Sequence, residues 1–226
     1  MSARGLFVTG TDTGVGKTRV AVALIHALRA QGLRVAAMKP VAAGHAPGEL
    51  NEDVMALSQA ANVDADMCDV NPYALADPIA PHIAAEQAGV WIELDVIAAA
   101  YARLAARADV VVVEGAGGWR VPLNEGEDMA DLAQRLGLPV VLVVGLRLGC
   151  LNHGLLTAES VAHRRLPWAG WVGNHIEPAM PYAAENVVAL HARLPGPCLG
   201  VQPFLGPEVS LSDAPRWLTL PEALVS

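Results

Sequence analysis

Lysine is nearly absent from this chain. Only Lys17 and Lys39 are lysines among 15 basic residues, and all the others are arginines. Arginine has a planar, forked head that does not replace a compact ammonium group in a narrow phosphate cradle. Unless Lys39 is incidental, a chain that avoids lysine elsewhere indicates that these two positions need lysine chemistry.

Other absences exclude whole classes of protein. The three cysteines, Cys68, Cys150 and Cys198, are far apart and form no Cys-x-x-Cys pair, which argues against a disulfide framework and a zinc site. No apolar run approaches the ~20 residues that span a bilayer. The net charge of −8 and the pI near 5.3 argue against a nucleic-acid partner or an anionic membrane surface.

Bulk properties predict one compact domain. The chain has 226 residues, of which 53% are hydrophobic and 17% are charged, so we expect a single domain over residues 1–226. The five residues before the first apolar run are too few for a signal peptide. We therefore expect a cytoplasmic protein whose partners are small molecules or a second copy of the chain.

Apolar runs alternate with helical patterns. Because these runs are continuously apolar, they predict strands buried on both faces of a mostly parallel sheet, with about six or seven strands covered by helices. The predicted strands are residues 6–8, 35–38, 109–113, 139–144, 169–172 and 199–201. The predicted helices are residues 18–31, 53–61, 94–108, 129–136, 152–165 and 182–194. Asn152 and Pro181 are suitable residues for helix starts.

Residues 10–18, GTDTGVGKT, lie between the first predicted strand and the first predicted helix. This is the setting of a phosphate-binding loop, in which Gly14 and Gly16 let backbone N–H groups converge on phosphate oxygens. Lys17 would bind the β- and γ-phosphates and the Thr18 hydroxyl would bind Mg²⁺. The usual pattern has one residue fewer between its glycines, so an ordinary glycine-rich turn is the alternative.

Further polar residues follow the other predicted strands. The carboxyl ends of parallel strands share one edge, where ligands gather, and Lys39, Glu114 and Asn174 are expected at that edge with the phosphate loop. Glu114 follows four valines, where nucleotide hydrolases hold Mg²⁺. The glycines after Glu114 favour close approach to a ligand, although an ordinary loop would also contain them. Asp53 opens a helix and is a capping residue, a first-turn acid favoured by the helix dipole, or a metal ligand.

Histidines give weaker signals. His26, His163 and His191 lie in predicted helices without the spacing of metal ligands. His82 and His153 lie at predicted helix starts, where a role in a site stays open. Residues 149–152 form an open helix N-terminus that could bind a carboxylate through backbone N–H groups.

With these motifs the chain resembles the dethiobiotin synthetase family, the ATP-dependent carboxylases that close the ureido ring in biotin synthesis. The resemblance covers nearly the whole chain, although the last 25 residues match only loosely. The segments that carry it are residues 8–18, 39–41, 71–73, 81–82, 113–118, 148–153 and 170–172. The long glycine spacing of the phosphate loop also suits this family.

The resemblance implies a reaction, two cofactors and a partner. In this family 7,8-diaminopelargonic acid takes up CO₂, from bicarbonate, as a carbamate on one amine. The carbamate oxygen attacks the γ-phosphate of ATP, and the second amine displaces phosphate from the carbamic-phosphoric anhydride to close the ring. The implied cofactors are ATP and Mg²⁺, and the implied assembly is a homodimer that shares its substrate sites, with no nucleic-acid or membrane partner.

The resemblance also assigns roles to residues. Lys39 would be the catalytic lysine at the carbamate and γ-phosphate, and Lys17 would serve the phosphates. Thr18, Asp53 and Glu114 would bind Mg²⁺. The implied nucleotide-binding residues are Thr13, Gly14, Val15, Gly16, Lys17, Thr18, Arg19, Glu114, Gly115, Ala116, Gly117, Asn174, Gln202, Pro203 and Phe204, with Asn174 reading the adenine. The implied substrate-binding residues are Lys39, Ala43, Gly118, Gly149, Cys150, Leu151 and Asn152, the last four from the neighbouring subunit.

Other proteins share the same fold and remain as alternatives. A cell-division type of ATPase switch has an additional lysine near the start of its phosphate loop, where this chain has Thr11, Asp12 and Thr13. A small-molecule kinase has an arginine-rich lid, for which only the pair Arg164 and Arg165 is available. A glutamine-dependent amidating synthetase needs a further domain that 226 residues do not provide.

Ala43 departs from the family pattern, which usually has Ser or Thr there. One neutral hydrogen bond contributes about 0.5–1.5 kcal/mol, so Ala43→Ser should lower the KM for the diamine or leave it unchanged. Steady-state kinetics of both forms would check this. A large increase in KM would contradict the placement of residue 43 beside the substrate.

Overall fold

The apolar runs of the sequence form the strands of one parallel sheet. The structure is a computed structural model and describes residues 4–46, 48–205 and 216–225. Its strands are β1 (Arg4–Gly10), β2 (Val35–Met38), β3 (Val41–Ala43), β4 (Tyr73–Leu75), β5 (Val110–Glu114), β6 (Val140–Leu146), β7 (Trp168–His175) and β8 (Cys198–Gln202). Its helices are α1 (Lys17–Ala30), α2 (Glu52–Ala60), α3 (Met67–Val70), α4 (Pro81–Gln87), α5 (Leu94–Ala105), α6 (Met129–Leu136), α7 (Cys150–His163), α8 (Ala183–His191) and α9 (Glu222–Val225).

The order of the strands places the phosphate loop near the middle of the sheet. The six-stranded sheet has the order β2-β5-β1-β6-β7-β8, and every pair in it is parallel. The strands β2 and β5, on one side of β1, come before β6, β7 and β8 of the other side in the chain. The direction of winding therefore reverses at β1. Such a point is where open parallel sheets bind ligands, and the loop at residues 10–18 leaves the sheet there.

Both faces of the sheet are buried, as the continuous apolar runs predict. On β1, Leu6 and Val8 pack in one core cluster with Leu24 of α1, whereas Phe7 packs in another with Ile97 of α5. Successive side chains of a strand point to opposite faces. Strands that are apolar at every position therefore require helices on both sides, and the predicted fold class is confirmed.

All six predicted strands and all six predicted helices are present. The strand at residues 35–38 and the helix at residues 129–136 have the predicted ends, whereas the others begin or end at different residues. Helix α7 begins at Cys150 with Gly149 as its N-cap, in place of the predicted start at Asn152. Gly149 has φ of 96°, a conformation that glycine adopts without strain, so the turn is made two residues earlier. Helix α8 begins at Ala183 after Tyr182, and Pro181 precedes its first turn.

The predicted element list leaves out the shortest elements, although His82, expected at a helix start, lies in the first turn of α4. The strands β3 and β4 form a separate two-stranded parallel sheet, and α3, α4 and α9 are helices of seven residues or fewer. Segments of this length contain too little sequence for a period to be recognised. Among the described residues, no helix is long and apolar enough to cross a membrane.

Gly170 allows β8 to approach β7. Its φ is 141°, and a Cβ at this position would lie 2.7 Å from both the Pro197 carbonyl oxygen and Leu199 Cγ. The Leu199 contact belongs to β8, the strand that ends at Gln202.

We expect Gly170→Ala to lower the free energy of unfolding by at least about 1–3 kcal/mol from backbone strain alone, with steric overlap adding to it. Denaturant titration would measure the loss. Gly126→Ala is the matched control, because a Cβ at Gly126 meets no atom within 4 Å. Equal stability of the two variants would contradict the prediction.

Candidate active site

Lys39 and two carboxylates meet at the edge of the sheet where the strands end. Lys39 follows β2, and its Nζ lies 2.5 Å from Oε1 of Glu114 at the end of β5. The same Nζ lies 2.9 Å from Oδ2 of Asp53 in the first turn of α2. The structure therefore brings together three residues that are separated by up to 75 positions in the chain.

Burial makes these charges depend on one another. Glu114 is fully buried and Lys39 is 4% exposed, and charges removed from water in this way are retained only with partners. Burial disfavours the ammonium, but Glu114 and Asp53 more than compensate and raise the pKa of Lys39 above its ordinary value. Burial raises the pKa of Glu114, an effect that Lys39 opposes. Lys39 is accordingly a fixed cation.

The Thr18 hydroxyl lies between the same two carboxylates. Its Oγ1 is 2.7 Å from Asp53 Oδ1 and 2.9 Å from Glu114 Oε1. One hydroxyl hydrogen cannot serve both acceptors at once. Glu114 Oε2 is also buried without a hydrogen-bond partner in the part of the chain that the structure describes. This cluster of oxygens has more acceptors than donors.

These oxygens fit a divalent cation. Mg²⁺ prefers oxygen ligands, and proteins usually bind it through one or two carboxylates together with phosphate oxygens and water. Within the described residues no group of three or more His, Cys, Asp and Glu side chains could hold a metal. The site therefore suits a metal that arrives with a phosphate ligand rather than one held by protein side chains alone.

The phosphate loop has the conformation that its glycines predict. Gly14 and Gly16 have φ of 74° and 89°, and Gly16 is the N-cap of α1. Lys17 is buried, and its Nζ donates to the Asp12 carbonyl oxygen at 3.0 Å. Burial and the nearby charge of Lys39 lower the pKa of Lys17 to about 8. A phosphate anion would oppose both effects and favour the charged lysine.

A pocket lies beside the phosphate loop, on the side of β7 and β8. It has a volume of about 180 Å³, and its lining includes the predicted residues Gly14, Gly16, Arg19, Asn174, Gln202 and Phe204. The Asn174 side-chain amide donates to the Val15 carbonyl oxygen at 2.8 Å, and Gln202 Oε1 is buried without a described partner. Asn174 therefore holds the phosphate loop from the pocket wall. Val15 and Pro203 are not among the lining residues.

A larger cavity adjoins Lys39 between the two-stranded sheet and the loop after β5. Its volume is about 520 Å³. Several predicted residues line it, namely Thr13, Lys39, Ala43, Asp53, Ala116 and Gly117. Val41, Pro78, Ile79 and Val121 give it an apolar wall. The cavity can therefore hold an aliphatic chain with a polar end at Lys39.

Some predicted residues do not line this cavity. Gly149, Cys150, Leu151 and Asn152 lie at the start of α7, and Cys150 is buried. Gly118 and His82 are also outside the lining. A carboxylate role for residues 149–152 stays a prediction that involves a second subunit.

The glycines after Glu114 have different reasons to be glycine. A Cβ at Gly115 would lie 3.2 Å from Met129 Cγ and 3.3 Å from the Phe7 ring, so packing explains this residue. Gly117 has φ of 60° and lies against Val121 and Thr13. Close approach to a ligand was therefore not needed to explain Gly115.

Three site residues were missed by sequence reasoning. Asn51 caps α2 by accepting from the Asp53 N–H, and it donates to the Gly44 carbonyl oxygen. Asn71 donates to the Lys39 carbonyl oxygen at 2.7 Å. Arg147 forms an ion pair with Asp12 of the phosphate loop. Arg147 follows β6, so its place at the end of a predicted strand was the signal available.

The strand order, the glycine loop and the lysine-carboxylate cluster define a phosphate-loop nucleotide-binding protein. Among solved structures, the septum site-determining protein MinD from Pyrococcus horikoshii, complexed with Mg-ADP, aligns with a TM-score of 0.59 and 17% identity. The alignment covers 89% of this chain and 81% of that one. At this identity the similarity establishes the fold.

Sequence comparisons identify the family. Residues 4–208 match the family described as an AAA domain. The ATP-dependent dethiobiotin synthetase BioD of Nitrosospira multiformis is 56% identical over 89% of this chain and 88% of that protein. The BioD of Aromatoleum aromaticum is 54% identical over 89% of this chain and 91% of that protein. The chain belongs to the ATP-dependent dethiobiotin synthetase family, and the resemblance drawn from its motifs is confirmed.

Two asparagines anchor opposite ends of β2 and allow the placement of Lys39 to be tested. Asn71 donates to the Lys39 and Tyr73 carbonyl oxygens, whereas Asn62 bonds the Val35 N–H and the Leu33 carbonyl oxygen. We expect Asn71→Ala and Asn62→Ala each to lower stability by about 1–3 kcal/mol, because each leaves backbone groups unpaired.

Only Asn71→Ala should also reduce phosphate release from Mg-ATP, because only Asn71 bonds to the backbone of Lys39. Both variants should be compared with the unaltered protein under the conditions in which that protein is fully active. The assay should be run at a temperature at which melting curves show both variants folded. Equal activities of the two folded variants would mean that Asn71 does not position Lys39.

Proposed function

We propose that this protein closes the ureido ring of dethiobiotin from 7,8-diaminopelargonic acid, CO₂ and ATP. One observation carries the proposal: Lys39 lines the 520 Å³ cavity and, through Glu114 and Asp53, adjoins Thr18 of the phosphate loop. A carbamate bound in the cavity would thus lie beside the terminal phosphate of ATP. As a synthetase family member, the protein is a ligase that forms carbon–nitrogen bonds.

The cavity matches the chemistry of the diamine. Its apolar wall, with Val41 and Ile79, suits the aliphatic part of the substrate, while Lys39 and Asp53 form a polar end. One amine adds to CO₂ and loses a proton, which gives a carbamate. The carbamate oxygen bonds to the γ-phosphorus as the bond to ADP breaks. The second amine then bonds to the carbonyl carbon and loses a proton, and phosphate leaves.

Lys39 and Lys17 supply fixed positive charge to this sequence. The Lys39 ammonium would contact the carbamate and the γ-phosphate, where negative charge accumulates during phosphoryl transfer. Lys17 would move from the Asp12 carbonyl oxygen to the β- and γ-phosphates. Both lysines act by electrostatic stabilisation, because neither needs to gain or lose a proton.

Thr18, Asp53 and Glu114 would hold Mg²⁺. Two observations support this assignment: the excess of acceptors around the Thr18 hydroxyl, and Glu114 Oε2, which has no partner in the described part of the chain. When bound with ATP, the metal would neutralise phosphate charge and orient the γ-phosphate.

The nucleotide base would occupy the pocket on the far side of the phosphate loop. Asn174 and Gln202 present amide groups there, and Phe204 offers an aromatic surface. Arg19 and Pro203 would complete the contacts to ATP. The backbone of residues 13–18 and 114–117 would surround the phosphates.

The active assembly would be a homodimer in the cytoplasm. Residues 149–152 of one subunit would bind the substrate carboxylate in the site of the other through the N-terminus of α7. Their position outside the cavity of their own chain supports this arrangement. Gly118 would approach the substrate from the loop after β5.

The test is phosphate release by the purified protein with Mg-ATP and bicarbonate, with and without the diamine. Release should require both bicarbonate and the diamine. It should fall at least about hundredfold in Lys39→Arg, because a guanidinium cannot occupy the space of the ammonium between Glu114 and Asp53. Arg193→Lys is the control, since Arg193 is exposed and bonds to the Ala189 carbonyl oxygen near the end of α8.

Two outcomes would contradict this function. Release that is indifferent to the diamine would leave a phosphate-loop ATPase. Formation of ADP and a phosphorylated product without free phosphate would indicate a small-molecule kinase.

A further inference from the structure

Asp12 is the point at which the phosphate loop is attached to the rest of the sheet edge. One carboxylate oxygen accepts from the Thr13 N–H at 2.7 Å, and the other lies 2.5 Å from an Arg147 guanidinium nitrogen. The Asp12 carbonyl oxygen accepts from Lys17 Nζ. One residue therefore connects the guanidinium to the lysine of the loop.

Arg147 reaches the loop from another strand. It follows β6 and lies two residues before Gly149, the N-cap of α7. Arg147 and Asp12 are 135 positions apart in the chain. On the other side, Gly118 of the loop after β5 packs against the Asp12 backbone. A Cβ at Gly118 would lie 3.7 Å from Asp12 Cα. The first part of the phosphate loop is held between the loops that follow β5 and β6.

The charges around Asp12 keep its carboxylate ionised. The Thr13 N–H and the Arg147 guanidinium lower the pKa of Asp12, and His153 of α7 contributes in the same direction. Side chains of Asp12 and Arg147 are 48% and 36% exposed. A pair this accessible contributes little to the stability of the fold, so its effect should be found in the position of the loop.

We propose that Arg147 is a positioning residue for nucleotide phosphates, which acts through Asp12 to hold the phosphate loop and Lys17 in place. Its ligand class is a nucleoside di- or triphosphate, although Arg147 itself does not touch the ligand. The proposal rests on the proposed role of residues 10–18 in binding ATP. Because Arg147 adjoins the start of α7, it also connects the expected carboxylate-binding turn to the phosphate loop.

The test measures binding of Mg-ADP and of adenosine by calorimetry, without the diamine or bicarbonate. Arg147→Gln should raise the Kd for Mg-ADP about two- to fivefold, the loss expected when an exposed ion pair is removed. The Kd for adenosine should not change, because adenosine has no phosphate. Arg147→Lys should restore part of the affinity, and the melting temperature should stay close to that of the control Arg193→Gln.

A double-mutant cycle with Asp12→Asn shows whether Arg147 acts through Asp12. Asn keeps an oxygen for the Thr13 N–H and removes only the charge, so the double variant should bind Mg-ADP no more weakly than the weaker single variant. Additive losses would overturn the proposal, since they would mean that Arg147 contacts the phosphates directly. Unchanged Mg-ADP affinity in Arg147→Gln, or equal losses for adenosine, would overturn it as well.

The binding measurement separates this inference from the proposed reaction. If ring closure fails while Mg-ADP still binds in an Arg147-dependent manner, the positioning role stands and the reaction is wrong. If ring closure proceeds and Arg147→Gln binds normally, the positioning role is wrong and the reaction stands.

Discussion

The buried ion pair between Lys39 and Glu114 is the interaction on which the site depends. Two charges without access to water are costly, and apolar residues of similar volume often give a more stable protein. The pair is therefore poor evidence for stability and better explained by what it holds in place. It fixes a cation at the wall of the cavity and leaves one Glu114 oxygen without a hydrogen-bond partner among the described residues. It also explains why a chain rich in arginine retains lysine here.

The two pockets of the site lie on opposite sides of β1 at the edge of the parallel sheet. β2 and β5 place Lys39 and Glu114 on one side of β1, next to the cavity that suits the diamine. β7 and β8 place Asn174 and Gln202 on the other side, at the pocket proposed for the base. The phosphate loop after β1 separates the two pockets. A nucleotide lying along this edge would present its terminal phosphate to the cavity.

Several features could not be predicted because they depend on contacts between distant segments. Asn71 lies in a motif segment and Asn51 is an ordinary polar residue, but the sequence does not show which backbone groups either side chain reaches. Arg147 follows a predicted strand, but its partner Asp12 lies in the phosphate loop, 135 positions away, so the pair could not be predicted from the sequence. Short elements such as β3 and β4 contain only three residues each, so no period distinguishes them from loops.

The sequence by itself determined the type of fold and the identity of the chemical groups. Continuous apolar runs require a sheet buried on both faces, and residues 10–18 require a strand, a tight loop and a helix. Two lysines and the motif segments were enough to indicate the family. The sequence also placed Lys39 and Glu114 at one edge with the phosphate loop. Only the tertiary structure decided that Lys39, Asp53, Glu114 and Thr18 are in direct contact, because hydrogen bonds of about 3 Å depend on how separate strands and helices pack. The same packing decided that residues 149–152 lie outside the cavity of their own chain.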